Sequence, residues 1–161
     1  MTQRFPMTPA GLQTLREELK QLKEVERPQN VHDIEVALGH GDLRENAEYH
    51  AAKERQAEIA ARIANLESRI GLAQVIDPET IKSETIGFGA TVTLTDMETD
   101  EEIVYRIVGE NESDVKAGKI SIAAPLARAL TEHRAGDEVV VRLPKGDREF
   151  EVVKVEYKHI P

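Results

Sequence analysis

Hydrophobic residues in the first half of the chain recur at the three- and four-residue spacing of an amphipathic helix. Thr8 followed by Pro9 predicts an N-cap and a first helical residue. The apolar positions that follow predict a coiled-coil seam through Leu12, Leu15, Leu19 and Leu22. Pro28 predicts a kink or a short break in this helix. The spacing then resumes at Val31, Ile34 and Leu38.

A second amphipathic helix is predicted to begin at about Leu43. Its apolar stripe consists of Ala52, Ile59, Ile63, Leu66, Ile70 and Ala73. Because only a few residues separate the two helices, they must pack as antiparallel neighbours. Helices of about 30 residues at 1.5 Å per residue give an arm of roughly 45 Å. We therefore predict an antiparallel helical coiled-coil arm over residues 1–77.

After Pro78 the hydrophobic period changes to two, as in half-buried strands. The alternating apolar residues are Val92 and Leu94, then Ile103, Tyr105 and Ile107, then Val139, Val141 and Leu143. Residues 144–147 (PKGD) predict a turn into a last strand, whose apolar phase shifts after Val152 as at a β-bulge. Residues 124–130 predict one short helix, with Pro125 at its start. The fold class is thus α+β, with a helical hairpin followed by a small antiparallel sheet domain with one short helix over residues 78–161.

Composition narrows the class of protein further. Of the 161 residues 40% are hydrophobic but only 4% are aromatic, so the cores consist mainly of Leu, Ile, Val and Ala. The absence of cysteine excludes disulfides and thiolate metal sites. The sequence shows neither a signal-peptide h-region nor an apolar run of about 20 residues. We therefore expect a soluble cytoplasmic protein with no membrane partner.

The net charge of −9 argues against direct binding to bare nucleic acid. Residues 1–77 carry 10 basic and 13 acidic side chains, a charge of −3, and residues 78–161 carry 11 and 17, a charge of −6. Non-specific affinity for nucleic acid depends on neutralising phosphates with Lys and Arg. If the protein acts on nucleic acid, we expect a protein partner to bring it there.

Two carboxylates, Asp42 and Glu45, lie between the predicted helices, in the tip formed by residues 39–46 (GHGDLREN). Two carboxylates with waters suit Mg²⁺, which retains much of its hydration and takes few protein ligands. At an exposed tip they lack enclosing ligands, so they form half of a site that another molecule must complete. On spacing alone we favour a capping box, in which Asp42 and Glu45 only satisfy the amides at a helix start.

Several segments together carry a family resemblance that spans nearly the whole chain. They are residues 41–52 (GDLRENAEYHAA), 73–77 (AQVID), 88–92 (FGATV), 105–109 (YRIVG) and 151–157 (EVVKVEY). With these segments the chain resembles the bacterial GreA family of transcription elongation factors, the Gre transcript-cleavage factors. The run at the tip is the specific part of the likeness.

The resemblance implies a C-terminal domain that is similar to the FK506-binding-protein fold and docks on bacterial RNA polymerase. It implies that the arm enters the polymerase secondary channel, where Asp42 and Glu45 help to bind a catalytic Mg²⁺ shared with the polymerase. Backtracked RNA is then cut near its 3′ end by the polymerase, so the factor is not itself an enzyme. We expect it to act as a monomer that meets the nascent RNA 3′ end within the elongation complex.

Other residues near the tip have weaker assignments. Contacts to RNA or polymerase are predicted for Arg44, Asn46, Tyr49, Lys53 and Arg55. Solvation, packing and intrahelical pairing explain such residues equally well. The chain departs from the family pattern at Leu38, where a basic residue is common, at Gly39, which lowers helix propensity, and at Ala124, which replaces a capping Ser.

Three other functions stay open. A channel-binding regulator or inhibitor of polymerase would dock in the same way without stimulating cleavage, although the intact run of residues 41–46 argues against it. A coiled-coil adaptor would use its acids only as caps. A prolyl isomerase is the least favoured, because three Phe, three Tyr and no Trp leave little to build an aromatic pocket.

Overall fold

The computed structural model describes residues 3–41 and 46–161. Gln13–Leu72 forms one compact unit, and the remaining described residues form a second. The sequence-based division into residues 1–77 and 78–161 differs from this at both ends of the hairpin. The reason is that a short strand before the hairpin pairs with a short strand after it, and both belong to the second unit.

The first unit is a helical hairpin, as predicted. Its elements are α1 (Pro9–Gln21, whose first turn belongs to the second unit), a π-helical turn (Leu22–Glu26), α2 (Arg27–Leu38) and α3 (Ala47–Gly71). Side-chain hydrogen bonds join Asn30 to Ala52 and Asn46 to Ala37, so α2 and α3 run antiparallel. The 25 residues of α3 make it about 37 Å long.

The π-helical turn is where the chain accommodates Pro28. Proline lacks an amide hydrogen, and its ring clashes with the carbonyl four residues earlier in an α-helix. Here the Arg27 N–H donates to the carbonyl of Leu22, five residues back, and Pro28 stands at the start of α2. The predicted break at Pro28 is confirmed, and its form is one inserted residue.

That inserted residue changes which side chains of α2 face α3. Leu15 and Leu22 are buried seven residues apart, and Asn30 and Ala37 are also seven apart, but eight residues separate Leu22 from Asn30. The predicted continuation through Val31, Ile34 and Leu38 is wrong at Val31 and Leu38, whose side chains are 47% and 46% exposed, whereas Ile34 is half-buried. The hydrophobicity of Val31 and Leu38 suggested that they belong to the seam, but the π-helical turn places Asn30 and Ala37 there instead.

The stripe predicted for the second helix is confirmed over most of its length. The buried residues of α3 are Ala52, Ile59, Ile63 and Leu66. Charged side chains flank this stripe and pair across the hairpin. These pairs include Arg62 with Glu18, Lys23 with Glu67, and Arg55 with Glu26.

The second unit contains a curled sheet. Among the described residues its strands are β3 (Ala90–Asp96), β4 (Glu102–Val108), β5 (Lys119–Ser121), β6 (Glu138–Leu143) and β7 (Gly146–Tyr157), in the order β5-β4-β3-β7-β6. Helix α4 (Pro125–Leu130) is the predicted short helix. Its Ala127 and Leu130 join a core with Val92, Leu94, Phe150 and Val152.

The pairing pattern corrects one detail and confirms another. Strands β3, β4, β6 and β7 are antiparallel as predicted, but the short β5 adds to β4 in parallel, so the sheet is mixed. In β7 the register skips Val153, because Thr93 pairs with Lys154 and Leu94 with Val152. The predicted β-bulge is thereby confirmed. The likeness to the FK506-binding-protein fold stays a prediction.

Two short strands outside this sheet were not predicted. β1 (Phe5–Met7) and β2 (Ala73–Val75) pair in parallel. The predicted cap beside β1 is confirmed, because Thr8 Oγ1 accepts a hydrogen bond of 3.1 Å from the Gly11 N–H. Thr8 also donates its N–H and its hydroxyl to the carboxylate of Glu112, which the sequence did not single out.

Candidate functional site

The tip connects α2 to α3, and the structure describes its flanks. Asp42, Arg44 and Glu45 lie outside the described residues, so their predicted roles stay predictions. The flanks consist of the end of α2 with residues 39–41, and of Asn46 with the first turn of α3. Hydrogen bonds to backbone groups of both flanks join the end of α2 to the start of α3.

Asn46 is the residue that organises the flanks. Its Oδ1 accepts a hydrogen bond of 3.0 Å from the Tyr49 N–H, which makes Asn46 the N-cap of α3. Its Nδ2 donates a hydrogen bond of 2.6 Å to the carbonyl oxygen of Ala37 in the last turn of α2. One carboxamide therefore satisfies a free donor at the start of one helix and an acceptor at the end of the other.

The cap also bears on the two explanations of the acids. The second helix was expected to begin near Leu43, with Asp42 and Glu45 as a capping box, but α3 begins at Ala47. Asn46 therefore holds the N-cap position of α3 that the capping box would give to Asp42. Asn46 itself was proposed as a contact to RNA or polymerase, and the structure gives its side chain these two internal bonds.

The other predicted contact residues differ in the interactions that their side chains already make within this chain. Arg55 pairs with Glu26 across the hairpin at 2.5 Å and with Glu58 along α3 at 3.3 Å. Lys53 is exposed and donates to Gln56 at 2.7 Å, an interaction that a competing phosphate can displace. Tyr49 is half-buried, with its ring edge-on to that of His50. The contact roles of these three residues stay predictions.

The end of α2 contains two of the departures from the family pattern, Leu38 and Gly39. Gly39 has helical backbone angles and is the C-cap of α2, and its N–H donates to carbonyls of the last turn. Because the helix ends at this residue, the low helix propensity of glycine destabilises it little. Gly41 has φ of +96°, a left-handed conformation that favours glycine. Leu38 is exposed beside them and offers no charge to RNA.

A side-chain contact also joins the two flanks. His40 Nδ1 lies 3.2 Å from Glu48 Oε2, and both side chains are more than half exposed. Exposed pairs of this kind contribute little to stability. Elsewhere, residues 3–41 and 46–161 hold no group of three or more His, Asp or Glu side chains that would hold a metal ion. None of the helices in that described part is long and apolar enough to cross a membrane.

Comparisons with known proteins agree with this architecture. A family model described as the N-terminal domain of transcription elongation factors matches residues 5–75, and the GreA/GreB C-terminal model matches residues 81–157. Transcription elongation factor GreA of Acidiphilium cryptum (strain JF-5) is 52% identical over 155 residues, which covers 96% of this chain and 99% of that relative. GreA of Francisella tularensis subsp. novicida (strain U112) is 53% identical over 156 residues, 96% and 98% of the two chains.

A solved structure shows a similar chain. The crystal structure of GreA factor homolog 1 of Thermus thermophilus is 31% identical in sequence and covers 96% of this chain and 99% of its own. The TM-score of the superposition is 0.44.

Proposed function

Because the chain belongs to the GreA/GreB family of transcription elongation factors, we propose that it stimulates cleavage of backtracked RNA by bacterial RNA polymerase. In this proposal the second unit docks on the polymerase and the hairpin enters its secondary channel. The polymerase performs the cleavage, and the factor supplies side chains to its active centre. The factor acts as a monomer and meets the nascent RNA 3′ end only inside the elongation complex.

The observation that carries the proposal is the cap of α3. Asp42 and Glu45 belong to the four-residue connection between Gly41 and Asn46, and the N-cap of α3 is Asn46, whose side chain accepts from the Tyr49 N–H. With the N-cap position taken by Asn46, we assign the two acids at the turn of the hairpin to a ligand outside this chain. This reverses the preference that spacing alone would give.

The donor set fits Mg²⁺. Two carboxylates are hard oxygen ligands, and Mg²⁺ is commonly held by one or two carboxylates with waters and phosphates as the remaining ligands. A bound Mg²⁺ supplies a charge that stabilises the attacking and leaving oxygens in phosphodiester hydrolysis. Asp42 and Glu45 would hold the ion together with polymerase ligands, and on their own they would bind it weakly.

The charge of the chain supports dependence on a host enzyme. With a net charge of −9 the protein has no general attraction for RNA phosphates. Lys53, exposed on α3 near the tip, is the predicted contact whose present bond is to a neutral side chain. Binding to the polymerase therefore has to provide the affinity, and the acids act after docking.

The test is transcript cleavage in stalled, backtracked elongation complexes with Mg²⁺. The wild-type protein should release short RNA fragments that carry the 3′ end. The isosteric double variant Asp42→Asn, Glu45→Gln should reduce the stimulated rate by about 100-fold, because it removes several kcal/mol of charge stabilisation at the metal. A competition assay with labelled wild-type protein should show unchanged affinity for polymerase.

The control is Asp33→Asn, Glu54→Gln, which removes two exposed acids from the helices of the same hairpin. This control should cleave at the wild-type rate. Equal cleavage by the wild type and by the tip double variant would refute the assignment of Asp42 and Glu45. Slowed elongation without cleavage by the wild type would identify a regulator or inhibitor of polymerase instead.

A further inference from the structure

We propose that Asn46 is a positioning residue, whose carboxamide clamps the end of α2 to the start of α3 and fixes the span that the acid-bearing connection bridges. The inference rests on the proposed function for its consequence in cleavage. Its structural part stands on the described residues alone. It assigns Asn46 a role different from the contact to RNA or polymerase that the sequence suggested.

The two hydrogen bonds require an amide in one orientation. The Tyr49 N–H is a donor and pairs only with an acceptor, and the Ala37 carbonyl is an acceptor and pairs only with a donor. Oδ1 lies 3.0 Å from the Tyr49 nitrogen and Nδ2 lies 2.6 Å from the Ala37 oxygen. Reversing the amide would place like groups against each other at both ends, so both bonds fix the same rotamer.

Other N-cap residues would leave one end unmade. Serine or aspartate accepts well from the amides of a helix start. Serine has a single hydroxyl oxygen, on a shorter side chain, that would have to accept from Tyr49 and donate to Ala37 at once, whereas asparagine uses two separate atoms. Aspartate has no donor at neutral pH and would direct a charged oxygen at the Ala37 carbonyl. The choice of asparagine is therefore explained by the bond to α2, beyond the capping of α3.

The acceptor end of the clamp, Ala37, lies in the buried part of the hairpin. Ala37 is 2% exposed and belongs to the hairpin seam. Its carbonyl also accepts from the His40 N–H at 3.1 Å, and the Gly41 N–H donates to the Leu38 carbonyl at 3.3 Å. The clamp thus ties α3 to the segment that turns the chain out of α2 and leads directly into Asp42.

The neighbouring interaction does not replace the clamp. His40 and Glu48 also join the two flanks, but at 3.2 Å with both side chains largely exposed. Such a pair contributes little and is screened by salt. Asn46 is half-buried, and its bonds are made to backbone atoms of both helices.

The functional consequence of the clamp is a precise position for the metal ligands, Asp42 and Glu45. Ligands that must join an ion held by another protein act only when their position is set within a fraction of an ångström. A displacement of 1 Å can cost about 100-fold in rate. Loosening the clamp should therefore reduce cleavage while docking, which involves other surfaces, is unchanged.

The test uses Asn46→Asp, which keeps a capping oxygen for α3 and removes the donor to Ala37, and Asn46→Ser, which replaces the separate donor and acceptor atoms by one hydroxyl on a shorter side chain. The matched control is Asn65→Ser, an exposed asparagine on α3 whose Oδ1 accepts only within that helix, from Arg62. Three readouts apply: cleavage of backtracked RNA, competition for polymerase, and amide hydrogen exchange of the free protein at residues 39–41.

We expect Asn46→Ser and Asn46→Asp to cleave about tenfold more slowly or worse, with unchanged affinity for polymerase and faster exchange at residues 39–41. Asn65→Ser should match the wild type in all three. Wild-type cleavage by both Asn46 variants would overturn the inference. So would a loss of affinity parallel to the loss of cleavage, which would identify Asn46 as a contact residue.

Failure of the proposed function is distinguishable. If the wild-type protein does not stimulate cleavage, the proposed function fails, and the exchange measurement alone decides on the clamp. Faster exchange at residues 39–41 in the two Asn46 variants, but not in Asn65→Ser, would then support it. Equal exchange in all four proteins would overturn it.

Discussion

At the scale of single residues, Asp96 at the end of β3 shows how a buried acid is held in this fold. It is 3% exposed, and Arg148 Nη2 donates to its Oδ2 at 2.5 Å. The backbone N–H groups of Glu98 and Thr99 donate to its Oδ1. The hydrogen bond from Arg148, followed by the bond from the Glu98 amide, lowers the pKa of Asp96. Arg148 also lies over the ring of Phe150, 4.9 Å from its centroid.

The lowered pKa predicts a pH-dependent loss of stability in Asp96→Asn. Because the pKa is lower in the folded than in the unfolded chain, the stabilisation is complete above the unfolded value of about 3.9 and is lost as the pH falls through the folded value. Urea unfolding should show the variant less stable than the wild type at about pH 7, with the difference narrowing towards about pH 3. Asp114→Asn, an exposed acid of the same unit, is the control. A difference independent of pH would contradict the role of the carboxylate charge.

At the scale of elements, the π-helical turn decides the packing of the hairpin. Without this turn, a seven-residue spacing continued from Leu15 and Leu22 would place Gln29 and Val36 in the seam. With the turn, Asn30 and Ala37 lie in the seam. The π-helical turn also frees the chain from an α-helical hydrogen bond that Pro28 cannot make. The sequence pattern indicated a break at this proline but not its length, and one residue of difference moves every later side chain by about 100° around the helix.

The π-helical turn predicts an unusual tolerance to deletion. Removing Val25, which is 52% exposed, makes Leu22 and Asn30 seven residues apart, as in an uninterrupted helix. Combined with Pro28→Ala, this deletion should leave the free energy of unfolding within about 1 kcal/mol of the wild type. The deletion alone should cost about 3 kcal/mol, because Pro28 would then stand inside an α-helix. Urea unfolding followed by circular dichroism measures both.

The matched control is deletion of Val36 together with Pro28→Ala. Val36 is also exposed, but removing it turns Ala37 out of the seam, which should cost about 2 kcal/mol or more. If the two deletions were equally tolerated, or equally destabilising, the account of the π-helical turn as one inserted residue would be wrong.

At the scale of the whole molecule, periodicity predicted the hairpin, the longer strands of the sheet and the bulge at Val153, because each leaves a repeated local signal, and Pro125 marked the start of α4. The pairing of β1 with β2 and the parallel addition of β5 were not predictable, since strands of three residues show no period. Asn46 was noticed at the tip, but its bond to Ala37 depends on two helices meeting in space. Glu112 carried no sequence signal, since its partner Thr8 lies 104 residues away.

In the proposed function, this chain carries an incomplete metal site that works only when the polymerase completes it. The sequence around Asp42 and Glu45 offers no enclosing set of ligands, and Asn46, not Asp42, is the N-cap of α3. A factor of this kind changes the Mg²⁺ concentration at which cleavage is half-maximal, in addition to the cleavage rate at saturating Mg²⁺. That dependence separates ligation of the ion from any other role of the two acids.

The most direct measurement is a Mg²⁺ titration of cleavage in backtracked complexes saturated with factor. The wild-type protein should lower the Mg²⁺ concentration for half-maximal cleavage, and Asp42→Asn, Glu45→Gln should raise it about tenfold or more, because lost metal ligands reduce affinity for the ion at least as much as lost supporting groups do. An unchanged Mg²⁺ midpoint in the double variant, even with a slower maximal rate, would contradict the account.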